Sequence, residues 1–327
     1  MADQQGYNLG IMFRREHGPE ALPDFARRAE DAGFDELWVV EDCLYTSGIA
    51  SAATALACTA EITVGLGIMP AVVRNPTFAA MEIATLARMH PGRFLPGFGH
   101  GVARWMRQVG AYPESQMTAL EEVTATVRRL LHGERFSFAG DYVQMEDVEL
   151  VHPPDPVPPI SLGVRGPKSL ALSGRVADGT ILAEYSPPSY VRWARQQIIS
   201  GQRQAGCDRA HRMTVFAFAN AGATTAEARQ PLRPMITSKL VARMYPQQAA
   251  MGILDEVEAL MADGGQARLE ADMPDAWIDA LAIVGTPEDW KRAIDQLVEA
   301  GAETVVVVPL PDRSVDIVET FARYLGL

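Results

Sequence analysis

Residues 163–179, GVRGPKSLALSGRVADG, place glycines and basic side chains at the start of a predicted helix. Pro167 suits the first position of that helix, because its missing N–H would have had no intrahelical partner there. A glycine turn that leads from a strand into a helix N-terminus, with cations nearby, is typical of an anion site. The alternative is that the cations, Arg165 and Lys168, simply face solvent. The candidate anion-binding residues are Gly163, Val164, Arg165, Gly166, Pro167 and Lys168.

A second glycine-rich segment, GFGHG at residues 97–101, ends another predicted strand. Its glycines permit a tight strand-to-helix turn, which requires no ligand, or they form part of a binding site. His100 stands between two glycines that shield it poorly, so it is either a solvated loop residue or a proton-transfer group. Gly99, His100 and Gly101 are therefore candidates for contact with a ligand.

Two carboxyl side chains stand close behind predicted strands. Asp42 follows the strand Glu36–Val40, and Glu184 follows the strand Gly179–Ala183. An aspartate in that position commonly caps the next helix, which is the alternative role of Asp42. As a proton-transfer group, a carboxyl needs burial that raises its pKa towards neutrality. Asp42, His100 and Glu184 are the candidate catalytic residues.

These residues are positioned by an alternation of short apolar runs and longer amphipathic stretches, which predicts βα units and a parallel sheet. Eight such units in a chain of 327 residues favour a (β/α)8 TIM barrel, in which chemistry gathers at the C-terminal ends of the strands. An open doubly wound sheet fits less well, because no GxGxxG follows the first strand. The predicted strands are Tyr7–Phe13, Glu36–Val40, Ile62–Met69, Arg93–Phe98, Ile160–Gly163, Gly179–Ala183, Met213–Ala219 and Thr304–Val308.

Helix starts are marked by capping residues. Asn75, followed by Pro76, is expected to begin the helix Pro76–Met89. Thr286 is expected to cap a later helix that has acidic residues in its first turn. Apolar spacing predicts further helices over Glu20–Ala32 and Ala50–Cys58.

Two segments interrupt the alternation, and we expect them to be insertions on a single barrel domain that spans residues 1–327. Residues 134–159 predict a hairpin that turns at residues 139–141, followed by a proline-rich linker. Residues 221–283 contain more helical pattern than one crossover between strands requires.

Composition excludes several classes of function. The net charge of −12 disfavours nucleic acid as a partner. No stretch reaches the roughly 18 apolar residues of a membrane span, and no secretion signal begins the chain, so we expect a soluble cytoplasmic protein. Three cysteines without a CxxC pair and six dispersed histidines without an HxH pair predict no metal site and disfavour a metal-dependent hydrolase.

Longer segments carry a resemblance to a known family. Residues 62–101, ITVGLGIMPAVVRNPTFAAMEIATLARMHPGRFLPGFGHG, are similar to the third and fourth βα units of the bacterial luciferase-like family. Residues 163–179 resemble the phosphate loop and following helix of that family, and residues 283–308 resemble its final helix–strand unit. The chain looks most like the branch that depends on the deazaflavin coenzyme F420, which includes methylenetetrahydromethanopterin reductases.

The resemblance implies that the anion is the phosphate of coenzyme F420, held by the loops after the fourth and fifth strands. Backbone N–H groups at a helix start donate to a phosphate, and glycines let it approach closely. The resemblance also implies a cis peptide bond between Gly67 and Ile68, behind the cofactor ring. The implied cofactor-binding residues are Gly67, Ile68, Gly99, His100, Gly101, Gly163, Val164, Arg165, Gly166, Pro167 and Lys168.

Two positions depart from the family pattern. Glu41 and Asp42 stand where many relatives have an acid followed by a histidine, so Asp42 occupies the place of the histidine. Val102 stands where some deazaflavin enzymes have a glutamate, which disfavours the oxidation of sugar phosphates.

The expected function is an oxidoreductase that transfers a hydride between coenzyme F420 and a small organic substrate. The alternatives are an FMN-dependent two-component monooxygenase and a barrel that binds flavin without catalysis. Family members are often dimers, so a homodimer is expected.

Overall fold

The strands form one parallel barrel and one separate hairpin. The computed structural model describes residues 6–242, 244–311 and 316–327, so the ends of the expected domain at residues 1–5 and the segment 312–315 lie outside the description. The strands in these residues are β1 (Asn8–Met12), β2 (Glu36–Val39), β3 (Thr63–Pro70), β4 (Phe94–Gly99), β5 (Phe136–Ala139), β6 (Gln144–Val148), β7 (Ser161–Gly163), β8 (Gly179–Leu182), β9 (Arg212–Ala221), β10 (Ile283–Gly285) and β11 (Thr304–Val308).

The helices lie mostly between successive barrel strands. They are α1 (Leu22–Asp31), α2 (Gly48–Cys58), α3 (Pro76–Met89), α4 (Ala103–Gln108), α5 (Gln116–Leu131), α6 (Pro167–Val176), α7 (Pro188–Gln204), α8 (Thr225–Arg229), α9 (Leu232–Val241), α10 (Tyr245–Met251), α11 (Leu254–Asp272), α12 (Asp275–Leu281), α13 (Pro287–Glu299) and α14 (Ile317–Leu325). Not one helix of the described ranges has the length and apolar character needed to cross a membrane.

The barrel closes through parallel pairing around a full circle. The order is β1–β2–β3–β4–β7–β8–β9–β11, and β11 pairs again with β1. The predicted (β/α)8 TIM barrel is therefore confirmed, and the open doubly wound alternative is wrong. Each of the eight predicted strands corresponds to a barrel strand, with ends that differ by a residue or two. The short strand β10 adds to the end of β9 outside this circle.

Local capping follows the sequence. Asn75 accepts a hydrogen bond from the N–H of Thr77 at the start of α3, at 2.9 Å. Thr286 and Asp289 form a reciprocal capping box at the start of α13. These bonds satisfy backbone N–H groups that have no partner inside the helix.

A buried polar cluster occupies the barrel floor, at the N-terminal ends of the strands. Glu36 is 1% exposed and pairs with Arg212. The same carboxylate accepts hydrogen bonds from Asn8 Nδ2 at 3.0 Å, Trp38 Nε1 at 2.8 Å and Thr304 Oγ1 at 3.3 Å. A buried charge is tolerated only when it is paired and hydrogen-bonded in this way. The cluster therefore joins β1, β2, β9 and β11.

Trp38 fills the interior above this floor. A Cβ atom on Gly65 would lie 2.3 Å from the Trp38 ring, and one on Gly67 would lie 3.2 Å from it. Phe216 packs against the same indole, with ring centroids 5.3 Å apart. The glycines of β3 are thus required by the width of the indole.

Two further segments attach to the barrel. The hairpin of β5 and β6 lies in residues 134–159, and helices α8–α12 occupy residues 225–281. Apolar side chains of α9, such as Ile236 and Leu240, share one buried cluster with Tyr185 and Phe218 at the C-terminal end of the barrel. The helical segment consequently packs against the end where catalytic groups gather.

A buried histidine between α6 and the barrel makes the fold sensitive to acid. His211 is 6% exposed, and its Nε2 lies 2.8 Å from Thr180 Oγ1. Burial, reinforced by the charges of Arg195 and Arg209, lowers the pKa of His211 to about 4. The unfolded chain therefore binds this proton at a higher pH than the folded chain does.

We predict that His211 makes the free energy of unfolding fall as the pH drops through the window from 6.5 to about 4. Linkage gives a loss of about 2 kcal/mol between about pH 7 and about pH 5 from this residue alone. Urea unfolding at both pH values measures it. His211→Gln should remove this part of the pH dependence, whereas His152→Gln, at an exposed position, should retain it. Equal pH dependence in all three proteins would contradict the prediction.

Candidate functional site

The predicted site residues converge at the C-terminal ends of β2, β3, β4, β7 and β8. Gly67 and Ile68 lie in β3, and the peptide bond between them is cis. Gly99 ends β4 and Gly163 ends β7, and these two glycines are partners in the parallel register. The two glycine-rich segments therefore adjoin each other, beside the Gly67–Ile68 bond.

Gly97, Gly99 and Gly163 leave room for the side chain of Ile68, and we call the space between these glycines the seat of Ile68. A Cβ atom on Gly163 would lie 2.5 Å from Ile68 Cγ2, and one on Gly99 would lie 2.9 Å from Ile68 Cδ1. A Cβ atom on Gly97 would lie 3.3 Å from Ile68 Cγ2 and 2.7 Å from the carbonyl oxygen of Leu66. Ile68 remains half-buried at the barrel mouth. It thus offers an apolar surface that a flat ring could rest on.

The GFGHG segment bends sharply after β4. Gly101 has a positive φ of 69°, which explains the glycine by backbone geometry alone. His100 Nε2 lies 3.3 Å from Ser169 Oγ in the first turn of α6. Burial lowers the pKa of His100, an effect partly offset by the backbone of Gln116. The Nδ1 atom of His100 is buried and makes no well-formed hydrogen bond to the described residues.

The start of α6 is open. Gly166 is the N-cap residue, with φ of −83°, and no side chain caps the helix. A Cβ atom on Gly166 would meet nothing within 4 Å. The carbonyl of Arg165 accepts a hydrogen bond from Tyr190 Oη at 2.7 Å, which anchors the loop. Val164 is buried, while the side chains of Arg165 and Lys168 are exposed. This arrangement fits a phosphate group, because the free N–H groups of the first turn point out of the helix.

Asp42 is not the cap of the next helix. Ser47 Oγ caps α2 by accepting a hydrogen bond from the N–H of Ala50. The carboxylate of Asp42 instead accepts a hydrogen bond from Arg15 Nη1. The capping alternative is therefore wrong, and Asp42 lies in an ion pair at the barrel mouth.

Arg15 is held by more than Asp42. Its guanidinium lies 5.0 Å from the ring centroid of Tyr45 and 5.6 Å from that of Trp105. Its Nε also donates to Glu16 at 3.2 Å. Arg15 thus joins the loops after β1 and β2 to helix α4. Sequence reasoning missed it, because no local pattern connects these three segments.

Two more ion pairs fix neighbouring loops. Arg14 is 7% exposed and makes two hydrogen bonds of 2.9 Å to Glu16. Arg74 pairs with both carboxylate oxygens of Glu41, which also accepts from the N–H of Gly48 at 2.8 Å. Arg74 lies directly before the helix start that Asn75 and Pro76 predicted, but the sequence did not indicate its partner Glu41.

Glu184 follows β8, is half-buried, and has no ion pair among the described residues. Burial raises its pKa, and the charge of Asp42 raises it further, against opposing effects of its own backbone, Arg14 and Lys239. Lys239 Nζ, in α9, lies 5.7 Å from the ring centroid of Tyr185. The structure thus brings Glu184, Asp42 and Lys239 within electrostatic reach of one another. A carboxyl with a raised pKa can hold a proton and deliver it.

Three features therefore meet at one end of the barrel: an apolar seat, an open helix N-terminus and a protonatable carboxyl group. Within residues 6–242, 244–311 and 316–327, no cluster of three or more His, Cys, Asp or Glu side chains could hold a metal ion.

The sequence profile of the family described as luciferase-like monooxygenase matches residues 6–304. The chain is 29% identical to the 5,10-methylenetetrahydromethanopterin reductase of Methanolobus tindarius over 308 residues, which cover 91% of this chain and 93% of that protein. It is 32% identical to the F420-dependent glucose-6-phosphate dehydrogenase of Nakamurella multipartita over 185 residues, which cover 53% of this chain and 54% of that protein.

A solved structure with a similar fold is the coenzyme F420 dependent tetrahydromethanopterin reductase of Methanopyrus kandleri. The TM-score is 0.79 with 21% identity, and the match covers 98% of each chain. At that identity the comparison supports the fold, and it agrees with the closed barrel described above.

The seat of Ile68 predicts a contrast between two glycines of the same loop. Gly163→Ala should lower the free energy of unfolding by about 1–3 kcal/mol, because the new methyl group collides with Ile68. Gly166→Ala should change it by less than about 0.5 kcal/mol, since the added atom enters open space. Chemical denaturation of both variants measures the difference, and equal stabilities would show that Ile68 does not occupy this seat.

Proposed function

The chain belongs to the luciferase-like monooxygenase family, and from that premise we propose that it is an oxidoreductase that transfers a hydride between coenzyme F420 and a small organic substrate. The observation that carries the proposal is the juxtaposition of Ile68 with the open start of α6. It offers one surface for a flat ring and, beside it, one site for the phosphate of the same molecule. A relative that is similar over 93% of its length is named 5,10-methylenetetrahydromethanopterin reductase.

The bound coenzyme supplies or accepts a hydride at its deazaflavin ring. Gly67 and Ile68 would support the back of that ring, so that its other side is open to substrate. The phosphate would be held by Gly99, His100 and Gly101 together with residues 163–168. The first turn of α6 would supply backbone N–H donors to it.

Glu184 would supply the proton that accompanies hydride transfer. Because burial raises its pKa, this carboxyl group keeps its proton at a higher pH than a solvated glutamate does. His100 would remain uncharged, since burial lowers its pKa. Asp42, paired with Arg15, would fix the loop that lies beside the substrate.

The substrate is proposed to be a small molecule other than a sugar phosphate. The similarity to the glucose-6-phosphate dehydrogenase covers half of that protein. Val102, half-exposed at 47%, provides no carboxylate at the position after Gly101. An apolar side chain there cannot accept a proton from a sugar hydroxyl group.

We further propose that the protein acts in the cytoplasm as a homodimer. Phe78, Met81 and Met89 are 63%, 48% and 66% exposed, and their spacing places them on one face of α3. Exposed apolar stripes of this kind commonly mark protein interfaces. Light scattering in solution tests this part of the proposal.

A titration of the protein with F420 and with FMN tests the choice of cofactor. Quenching of deazaflavin or flavin fluorescence gives the dissociation constants. Gly166→Trp should weaken F420 binding by at least about tenfold, or about 1.4 kcal/mol, because the indole enters the space above the α6 N-terminus. Far-ultraviolet circular dichroism should be unchanged, since Gly166 has an ordinary φ and open surroundings. Tight binding of FMN without binding of F420 would instead favour the monooxygenase alternative.

Replacing the carboxyl group of Glu184 tests its role in proton transfer. Glu184→Gln should lower turnover by about 100-fold or more while F420 binding stays normal, because an amide cannot donate the proton. Turnover of the wild-type protein should fall as the pH rises through the raised pKa of Glu184, and the variant should lose that limb. Turnover is measured as the loss or recovery of the visible absorbance of the deazaflavin. The substrates are a panel of alcohols, ketones and cyclic iminium compounds.

Asp42→Asn serves as the companion variant. It removes the charge opposite Arg15 at nearly constant size, and we expect a loss of at least about tenfold in turnover, because the ion pair no longer holds the loop that positions the substrate. Wild-type rates and an unaltered pH profile in both variants would remove Glu184 and Asp42 from the chemistry.

A further inference from the structure

Helix α9 brings a lysine to the C-terminal end of the barrel. Lys239 Nζ lies 5.7 Å from the ring centroid of Tyr185, the residue that directly follows Glu184 after β8. Tyr185 is 4% exposed, and its ring packs against Phe218 of β9 with the ring centroids 5.2 Å apart. Because packing fixes this ring, the ammonium group over it has a defined place close to the proposed proton donor.

The ammonium group of Lys239 is exposed and has no carboxylate within 4.0 Å among the described residues. The chain has 41 acidic residues against 29 lysines and arginines, so carboxylates are in excess. Three of these 29 cations are lysines, and another of them, Lys291, pairs with Asp295 at 2.9 Å. Lys239 can therefore bind an anion from outside the chain without first breaking an ion pair.

The surroundings of Lys239 leave space for a ligand next to Glu184. Ala183, the residue before Glu184, is exposed, and Glu184 itself is half-buried. The charge of Lys239 acts on Glu184 and lowers its pKa, against the larger effect of burial, which raises it. An anion held by Lys239 would thus lie within electrostatic reach of the group proposed to transfer the proton.

The acidic side chains in this part of the molecule are largely compensated. Asp42 pairs with Arg15, and Glu41 pairs with Arg74. Burial raises the pKa of Glu184, so that its carboxyl group keeps a proton at a higher pH than a solvated glutamate does. These pairings reduce the repulsion that an incoming anion would meet, and the unpaired ammonium group attracts it.

We propose that Lys239 binds a carboxylate of the substrate, so that the substrate is a small organic acid that also carries the carbonyl or hydroxyl group that reacts. The inference rests on the proposed function, because the bound carboxylate orients the substrate for the hydride transfer proposed above. A carboxylate fits better than a phosphate, since a single ammonium group is a point charge, whereas a phosphate offers up to two charges and three acceptor oxygens. This class agrees with a substrate other than a sugar phosphate.

The test is a binding series with the F420-loaded protein. Three keto acids, pyruvate, levulinate and para-acetylbenzoate, are compared with the uncharged ketones that lack the carboxylate: acetone, methyl propyl ketone and acetophenone. Calorimetry gives the dissociation constants. At least one acid should bind about tenfold more tightly than its uncharged counterpart, as expected for one hydrogen bond between charged groups.

Isotope-labelled methyl groups on the lysines locate the bound acid. Because the chain has three lysines, the labelled protein gives few nuclear magnetic resonance signals, and methylation keeps the positive charge. The variant Lys239→Arg identifies the signal of Lys239 by its loss. Addition of the keto acid that binds most tightly should move this signal until it saturates and should leave the signal of Lys291 in place.

Three variants separate a role of Lys239 from a general effect of charge. Lys239→Gln should lose the preference for the acid over the ketone while it keeps the wild-type affinity for F420. Lys239→Arg should retain most of the preference, because a guanidinium also pairs with a carboxylate. The matched control Lys291→Gln removes an exposed lysine of α13 and should keep the full preference.

Absence of a preference in all three ligand pairs, or an undiminished preference in Lys239→Gln, would overturn the carboxylate site. With normal F420 binding, either result would leave the proposed function standing. If inorganic phosphate displaced the keto acid from Lys239 more readily than acetate did, the assignment to a carboxylate would be wrong. Failure of F420 itself to bind would overturn both proposals.

Discussion

The buried ion pair between Glu36 and Arg212 is the constraint on which the geometry of the mouth depends. It joins the starts of β2 and β9, on opposite parts of the barrel, where no helix connects them. Because the carboxylate also accepts the indole N–H of Trp38, the ring of Trp38 is fixed in orientation. That ring occupies the space that side chains on Gly65 and Gly67 would need, so β3 must carry glycines there. The ion pair at the N-terminal end of the barrel thus determines, through the position of Trp38, where β3 must carry glycine.

At the barrel mouth, some charged side chains form ion pairs and others do not. Ion pairs hold the loops after β1, β2 and β3, and each pair cancels its own charge. Such pairs contribute little net stability, but they fix where the loops lie. Glu184, without such a partner, responds to burial by a raised pKa. Arg165 and Lys168, beside the start of α6, also have no carboxylate within 4.0 Å among the described residues, and they leave a positive field there. Charge is therefore available at the two places where a proton and an anion would be handled.

The sequence predicted the elements well and their contacts poorly. Apolar runs such as Ile62–Met69 located strands, and Asn75 located a helix start, because both signals act over a few neighbouring residues. The partner of Asp42 is 27 residues away, and no local pattern encodes a pairing across that distance. The open surroundings of Gly166 and the crowding at Gly163 were equally invisible, although both are glycines of one short segment. The sequence does not show whether a side chain at a glycine position would collide with a neighbour or would fit without contact.

The aspartate at position 42 has a physical meaning within the proposed function. In the resemblance to the family, a histidine stands there, and an imidazole can give or take a proton near neutral pH. Asp42 accepts a hydrogen bond from Arg15, so the group at the end of β2 is committed to an ion pair. His100 is poorly suited to replace the lost donor, because burial lowers its pKa and favours the uncharged ring. The raised pKa of Glu184 is the opposite shift, and it favours a carboxyl group that carries a proton. Within the proposed function, Glu184 at the end of β8 would therefore transfer the proton in place of the residue at the end of β2. The ion pair of Asp42 with Arg15 would help to position the substrate.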